Sequence, residues 1–307
     1  MASNQERREA ARTTLEQTIA ERRKQERRKK ALLGIGAVVG VVALAGATFG
    51  VYTLASGDDS GAGSEASESV AAEDQGDEEF DEFFDEQQEI PEPEALPAGR
   101  AEALPPTVDC TYAESARPAA KDAELPAETG IPAEGTVAAT INLNGEPVGV
   151  TLDRAKSPCT VNSFVSLAEQ GYFDGTSCHR LTTAGILVLQ CGDPSATGGG
   201  GPGYEFADEF PADQYQEAPR GGTIYPRGTV AMANAGPGTN GSQFFLVYGD
   251  STLAPAYNIF GQIDDAGLAV IDAIAQAGVA ENPEAGSNPD DGAPSVPAEI
   301  TSVTVEE

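Results

Sequence analysis

The sequence holds no tryptophan, a single histidine (His179) and two methionines in 307 residues. One histidine on a strand, with no nucleophile-elbow motif around Ser242 or Ser251, argues against a Ser-His-Asp hydrolase. A packed, hydrogen-bonded role is expected for it instead. The four cysteines include no Cys-x-x-Cys pair, so a zinc site is not expected, and neither a metal nor a cofactor is called for. Positive charge is scarce after residue 30, where eight Lys/Arg face forty-four Asp/Glu, and the formal net charge is -31. A chain this acidic repels phosphate backbones, so no DNA or RNA partner is expected. "TGGGGPGY" (197–204) lacks the Gly-Lys-Ser/Thr ending of a phosphate cradle and is read as a loop.

What is present begins with a basic tip. Residues 1–30 carry ten Lys/Arg against five Asp/Glu, and residues 31–55 then run 25 positions without a charge. Roughly 20 apolar residues suffice for a membrane-spanning helix. The flanking "ERRKQERRKK" keeps the N-terminus cytoplasmic by the positive-inside rule. The competing reading is a signal peptide cut near Ala55-Ser56-Gly57. The long charged region and the length of the apolar run favour an uncleaved anchor. The expected protein is a monomer held in the cell membrane by a single helix, with everything from residue 56 on the extracytoplasmic side. An even number of cysteines (Cys110, Cys159, Cys178, Cys191) suits an oxidising space, and three pairings are possible.

Residues 56–106 are rich in carboxylates, Gly, Ser and Pro, and are expected to be a disordered acidic linker that self-repulsion extends. Its patch "EEFDEFFDE" (78–86) is read as spacer. Residues 107–133 form an extension, and a folded domain is expected over 134–307. "TVAATINL" (136–143) alternates, Asn144-Gly145 is a two-residue hairpin signal, and "PVGVTL" continues the pairing. Ser157 as N-cap and Pro158 at the first helical position start a helix that stops near Gly171, with Val161, Phe164, Val165 and Ala168 inward. Short apolar strands follow at 185–190, 228–234, 243–248 and 258–263. A second helix over about 265–277 turns Leu268, Ile271, Ile274 and Ala275 inward, and "EITSVTVE" (299–306) alternates again. Many short strands with two helices point to a mainly β fold, a closed barrel with its ends capped.

Five segments then carry a resemblance: "CHRL" (178–181), "LQCGDP" (189–194), "GGPGYEFADEF" (200–210), "RGTVAMANAGPGTNGSQFFLVY" (227–248) and "YNIFGQI" (257–263). In this order they resemble the cyclophilins, the peptidyl-prolyl cis/trans isomerases. The likeness covers about residues 134–306, and the layout is similar to the membrane-anchored actinobacterial branch. The resemblance implies an eight-stranded antiparallel barrel capped by two helices, with a proline-binding groove on its outer wall. It implies catalytic roles for Arg180, Gln190, Asn234 and Gln243, and a substrate-binding surface from Leu187, Val188, Ala233, Ala235, Phe245, Leu253 and Tyr257. Arg180 would donate to the prolyl nitrogen, Gln243 would meet the substrate carbonyl, and Phe245 would floor the proline pocket. Backbone groups at 233–235 would hold the peptide as an added strand. The family topology also sets Cys178 beside Cys191 on neighbouring strands, which leaves Cys110 to pin the extension to Cys159.

Some positions depart from the family pattern. Leu187 and Val188 stand where Phe and Met are usual, and two extra residues separate Arg180 from Gln190. Tyr257 replaces a His, and Thr252 falls near the place of a Trp. The resemblance therefore implies an aliphatic pocket, slow turnover and weak cyclosporin binding. The expected partners are proline-containing segments of secreted or cell-envelope proteins. The alternative function is a proline-peptide-binding or chaperone module with little catalysis.

Overall fold

The alternation at 136–143 forms as a strand whose residues are in turn exposed and buried, and the hairpin at Asn144-Gly145 has both residues at positive φ, 53° and 85°. A two-residue turn of this hand matches the twist of the flanking strands. The computed structural model describes residues 91–281 and 288–306. The basic segment, the apolar run at 31–55 and the acidic patch at 78–86 lie outside the described residues. Among the described residues, no helix is long and apolar enough to cross a membrane.

In chain order the first elements are β1 (Glu94–Ala95), β2 (Thr107–Val108), β3 (Ala113–Glu114), β4 (Ile131–Pro132), β5 (Thr136–Leu143), β6 (Glu146–Asp153) and helix α1 (Pro158–Glu169). Then come β7 (Thr176–Ser177), β8 (Arg180–Thr182), β9 (Leu187–Cys191), β10 (Tyr204–Glu205) and a 3-10 turn at Ala212–Gln214. The remainder is β11 (Thr223–Tyr225), β12 (Thr229–Met232), β13 (Phe244–Gly249), β14 (Ser251–Leu253), β15 (Ile259–Ile263), helix α2 (Asp265–Gln276), β16 (Asp291–Gly292) and β17 (Glu299–Glu306).

The main sheet has the order β16-β8-β9-β13-β12-β15-β6-β5-β17-β7, ten strands where eight were expected. The difference is the two-residue segments β7 and β16. Only Cys178 and His179 separate β7 from β8, yet β7 pairs with β17 at one margin and β8 with β9 near the other. The sheet therefore curls until one stretch of chain, 176–182, serves both margins. Its inner face buries Phe164, Phe173, Phe244 and Phe260, with ring centroids 5.1 to 5.7 Å apart. Each such ring stabilises the fold by about 1.5–3 kcal/mol through burial.

Helix α1 starts where Pro158 was expected to start it, but Ser157 does not cap it with its side chain. The Ser157 hydroxyl instead donates to the Ile259 carbonyl at 2.8 Å. The cap comes from Glu209, whose carboxylate accepts from the amides of Cys159 and Thr160 at 3.0 and 2.8 Å. Helix α2 is capped locally, by Asp264 accepting from Gly267 N at 2.6 Å.

The N-terminal extension corrects the expected boundaries. Residues 91–106, assigned by sequence to the linker, lie against the domain: β1 pairs in parallel with β11, and Arg100 binds Asp213 and the Lys156 carbonyl. Residues 107–133, the expected extension, contribute to the core. Cys110, Tyr112 and Ile131 are buried, β2 pairs with β4, and β3 pairs with β10. The Tyr112 hydroxyl donates to the Cys159 carbonyl and accepts from Asn162, both at 2.8 Å. The disulfides are Cys110–Cys159 and Cys178–Cys191, the pairing the family topology implied.

Candidate active site

Pairing of β8 with β9 sets Arg180 opposite Gln190, and pairing of β9 with β13 sets Gln190 opposite Phe245. Because side chains alternate along a strand, Val188 and Phe245 share the outer wall while Leu189 and Phe244 face the inner core. On that wall an open cavity of about 180 Å³ is lined by Arg180, Ile186, Val188, Gln190, Ala233, Asn234, Phe245, Leu253 and Tyr257. Phe245 stands edge-on to Tyr257, centroids 5.5 Å apart. Eight of the residues expected at the site meet here.

Leu187 does not. Consecutive strand residues point to opposite faces, and Leu187 lies against Gly249, where any Cβ would collide with it. Ile186 lines the cavity in its place. Ala235 and Gln243 belong to an adjoining cavity of about 110 Å³, which shares Gln190, Ala233 and Asn234 with the first and adds Ser115 and Arg117 from the extension.

The polar side chains form a connected chain. Gln243 donates its amide hydrogens to the carbonyls of Gly198 and Gly200 at 3.0 and 2.9 Å, and its oxygen accepts from Gln190 Nε2 at 2.9 Å. The donors expected to meet a substrate carbonyl are thus already engaged, and Gln243 fixes Gln190. The glycine loop is in turn fixed by buried Asp193. Its carboxylate accepts from Ser195 N and Oγ, Thr197 N, Gly198 N and Gly200 N at 2.6 to 3.1 Å. Burial pushes the Asp193 pKa up, but these hydrogen bonds outweigh it and hold the carboxyl below its ordinary range. Asn234 donates to the Ala256 carbonyl at 2.8 Å, tying the two sides of the first cavity together.

Arg180 ends the chain. Its Nη1 faces Gln190 Oε1 at 3.5 Å, while Nε and Nη2 donate to the two carboxylate oxygens of Asp291, each at 2.7 Å. These bonds to Asp291 raise the guanidinium's pKa against the effect of burial, so the charge is permanent. His179 is packed as expected but not hydrogen-bonded: neither ring nitrogen has a partner among the described residues. Burial, helped by Arg180 and opposed by Asp193, lowers its pKa.

Such a site offers a fixed cation beside an apolar hollow, together with the segment 233–235, which follows β12 and whose Ala233 and Ala235 amides donate to the Gln243 carbonyl and to Thr239 Oγ1 at 2.9 and 2.8 Å. It suits recognition of a ring in an extended peptide. The family model for cyclophilin type peptidyl-prolyl cis-trans isomerases matches residues 138–305, over half of the chain.

The chain belongs to the cyclophilin family.

A probable peptidyl-prolyl cis-trans isomerase B of Mycobacterium leprae is 50% identical over 204 residues, covering 65% of this chain and 67% of that protein. Its counterpart in Mycobacterium tuberculosis is 51% identical over 203 residues, covering 64% of each. The chain thus spans about two thirds of the length of these relatives. Peptidyl-prolyl cis-trans isomerase B of Streptomyces anulatus is 41% identical over 154 residues, covering 45% of this chain and 82% of that protein. A crystal structure of a Cryptosporidium parvum cyclophilin type isomerase covers 56% of this chain and 99% of its own, at 25% identity and a TM-score of 0.44.

Several residues of this cyclophilin's site escaped sequence reasoning. Ile186 was one register step from Leu187, a step visible only once strand β9 has its pairing. Asp291 sits in a Pro-, Asp- and Gly-rich stretch with no periodicity. Ser115 and Arg117 lie in an extension whose packing has no local signal.

Proposed function

We propose that this cyclophilin accelerates cis/trans isomerisation of X-Pro bonds and that Arg180 supplies the main catalytic interaction. Amide resonance sets a barrier of ~18–20 kcal/mol to rotation. Acceleration by five decades would need about 7 kcal/mol, which must come from binding the twisted amide more tightly than either planar form. No covalent bond breaks, so the reaction requires no nucleophile, metal or proton donor. Twisting localises a lone pair on the prolyl nitrogen, and a pre-placed donor aimed at it is worth about 3–4 kcal/mol. The planar amide offers no such lone pair. Val188, Phe245 and Leu253 supply the apolar contact for the ring, and the segment 233–235 supplies peptide register.

The observation that carries this reading is the guanidinium of Arg180 lining the same cavity as Phe245. NMR exchange spectroscopy on an Ala-Pro peptide tests it. The wild-type protein is expected to speed isomer interconversion, and Arg180→Ala to abolish most of the gain without unfolding the domain. A module that only grips proline segments would broaden the lines and leave interconversion unchanged.

The same reading places the domain, as a monomer, outside the cytoplasm on a membrane anchor formed by residues 31–55, acting on proline-containing segments of secreted or cell-envelope proteins. The apolar run behind a basic tip supports the anchor, and the pairing of all four cysteines supports an oxidising compartment. Membrane fractionation of the full chain, with protease added from outside, tests both together.

A further inference from the structure

Asp291 lies outside the cavity, yet it takes two of the three nitrogens of Arg180 in a planar, two-pronged contact at 2.7 Å each. The pair is more than one-third exposed on both sides, 39% and 36%. An ion pair so exposed adds little to stability. Its geometry has another consequence. With Nε and Nη2 bound to one carboxylate, the guanidinium plane has a defined orientation, and its Nη1 donates to Gln190 Oε1, which belongs to a residue lining the cavity.

Asp291 is itself held on both sides. Strand β16 pairs with β8, setting Asp291 opposite Thr182 and Gly292 opposite Leu181. Its neighbour Asp290 accepts from Thr183 N at 2.9 Å and from Thr183 Oγ1 at 3.1 Å. On the other side Ala280 N donates to the Ala293 carbonyl at 2.7 Å, and Ser295 N to the Gly278 carbonyl at 2.9 Å. The carboxylate is therefore presented by a clamped backbone, and the entropy of orienting the arginine is met by the fold before any peptide arrives.

We infer that Asp291 is a positioning residue for the isomerisation, holding Arg180 in the orientation that presents Nη1 to the prolyl nitrogen. Two effects oppose each other here. The carboxylate cancels part of the guanidinium's field, and it also fixes the donor's direction. The lone pair on a twisted nitrogen is a small directional target, and misplacing a group by about 1 Å can cost a factor near 100. Direction outweighs field.

The inference rests on the catalytic role proposed for Arg180, and its test separates the two. Turnover of an Ala-Pro peptide is measured by NMR exchange for the wild type, Asp291→Ala, Asp291→Asn, Asp291→Glu, Arg180→Ala and the double variant Arg180→Ala/Asp291→Ala. Thermal melts confirm that each is folded, and the near-isosteric Asp291→Asn keeps the test open should Asp291→Ala not fold. Removing the carboxylate is expected to lower kcat about tenfold with KM nearly unchanged. Asp291→Glu should recover part of the loss, and the double variant should be no slower than Arg180→Ala alone. A kcat for Asp291→Asn at or above wild type, with Arg180→Ala slow, overturns the positioning role and leaves Arg180 in place. An Arg180→Ala protein as fast as wild type overturns the role of Arg180 itself, and this inference with it.

Discussion

Glu209 closes the N-terminus of α1 by accepting from both the amide and the hydroxyl of Thr160, at 2.8 and 2.7 Å. The two residues are 49 positions apart, so the helix is capped from across the fold. A negative group at a helix N-terminus also meets the positive end of the helix dipole. Glu209 is nearly buried, and burial raises its pKa against the pull of the Thr160 and Cys159 donors.

Glu209→Ala leaves those amides without an acceptor. Each unsatisfied buried donor costs about 1–3 kcal/mol, so a loss of at least about 2 kcal/mol is expected. Urea denaturation gives the value, and a lower midpoint at constant slope is the predicted result. By contrast, Ser157→Ala should leave α1 capped, because the Ser157 hydroxyl serves Ile259 and not the helix.

The sequence announced what is locally encoded. Asn144-Gly145 and Pro158 each act within a few residues, and each element starts where its signal stands, while the apolar periodicity expected over about 265–277 forms the helix Asp265–Gln276. The two disulfides followed from the family topology once the motifs were in place. What stayed hidden depends on pairing across the chain. Glu209 as a cap, Leu187 turned to Gly249 so that Ile186 lines the cavity, and Asp291 beside Arg180 are set by partners 49, 62 and 111 residues away. The packing of the extension was hard to read for a compositional reason. The segment is too polar to look like core, yet Cys110, Tyr112 and Ile131 are enough to dock it.

The Asp193 loop gives a pH prediction. Its carboxyl titrates below its ordinary range in the folded protein, where hydrogen bonds to the loop outweigh burial. A depressed folded pKa contributes stability that is present above the unfolded value and is lost as pH falls through the folded one. Stability should therefore drop below about pH 4, and Asp193→Asn should flatten that part of the profile. Denaturation midpoints collected from about pH 6 down to about pH 2 would show it. Turnover of the wild type should loosen in the same window, since the Gly198 and Gly200 carbonyls that hold Gln243 belong to this loop.

The two disulfides close loops of different length, 49 residues for Cys110–Cys159 and 13 for Cys178–Cys191. On chain entropy alone, removing the first should cost about 4 kcal/mol and the second about 3 kcal/mol. Paired Cys→Ser variants unfolded in guanidinium would rank them. Activity should respond in the opposite order. Cys178 is two residues from Arg180 and Cys191 is next to Gln190, so the shorter bridge joins the chain just before β8 to the end of β9, beside the proposed site. An equal loss of turnover in both variants would refute this ordering.

The long bridge bears on how this protein can be cut. A fragment trimmed to the family boundary at residue 138 would lose β1 to β4 and the first two residues of β5, Tyr112 from its place among Tyr204 and Phe206, and Cys110. Cys159 would then be an odd thiol, free to cross-link one molecule to another. A piece that keeps both the long bridge and the pairing of β1 with β11 therefore starts at or before residue 94, well ahead of the family boundary.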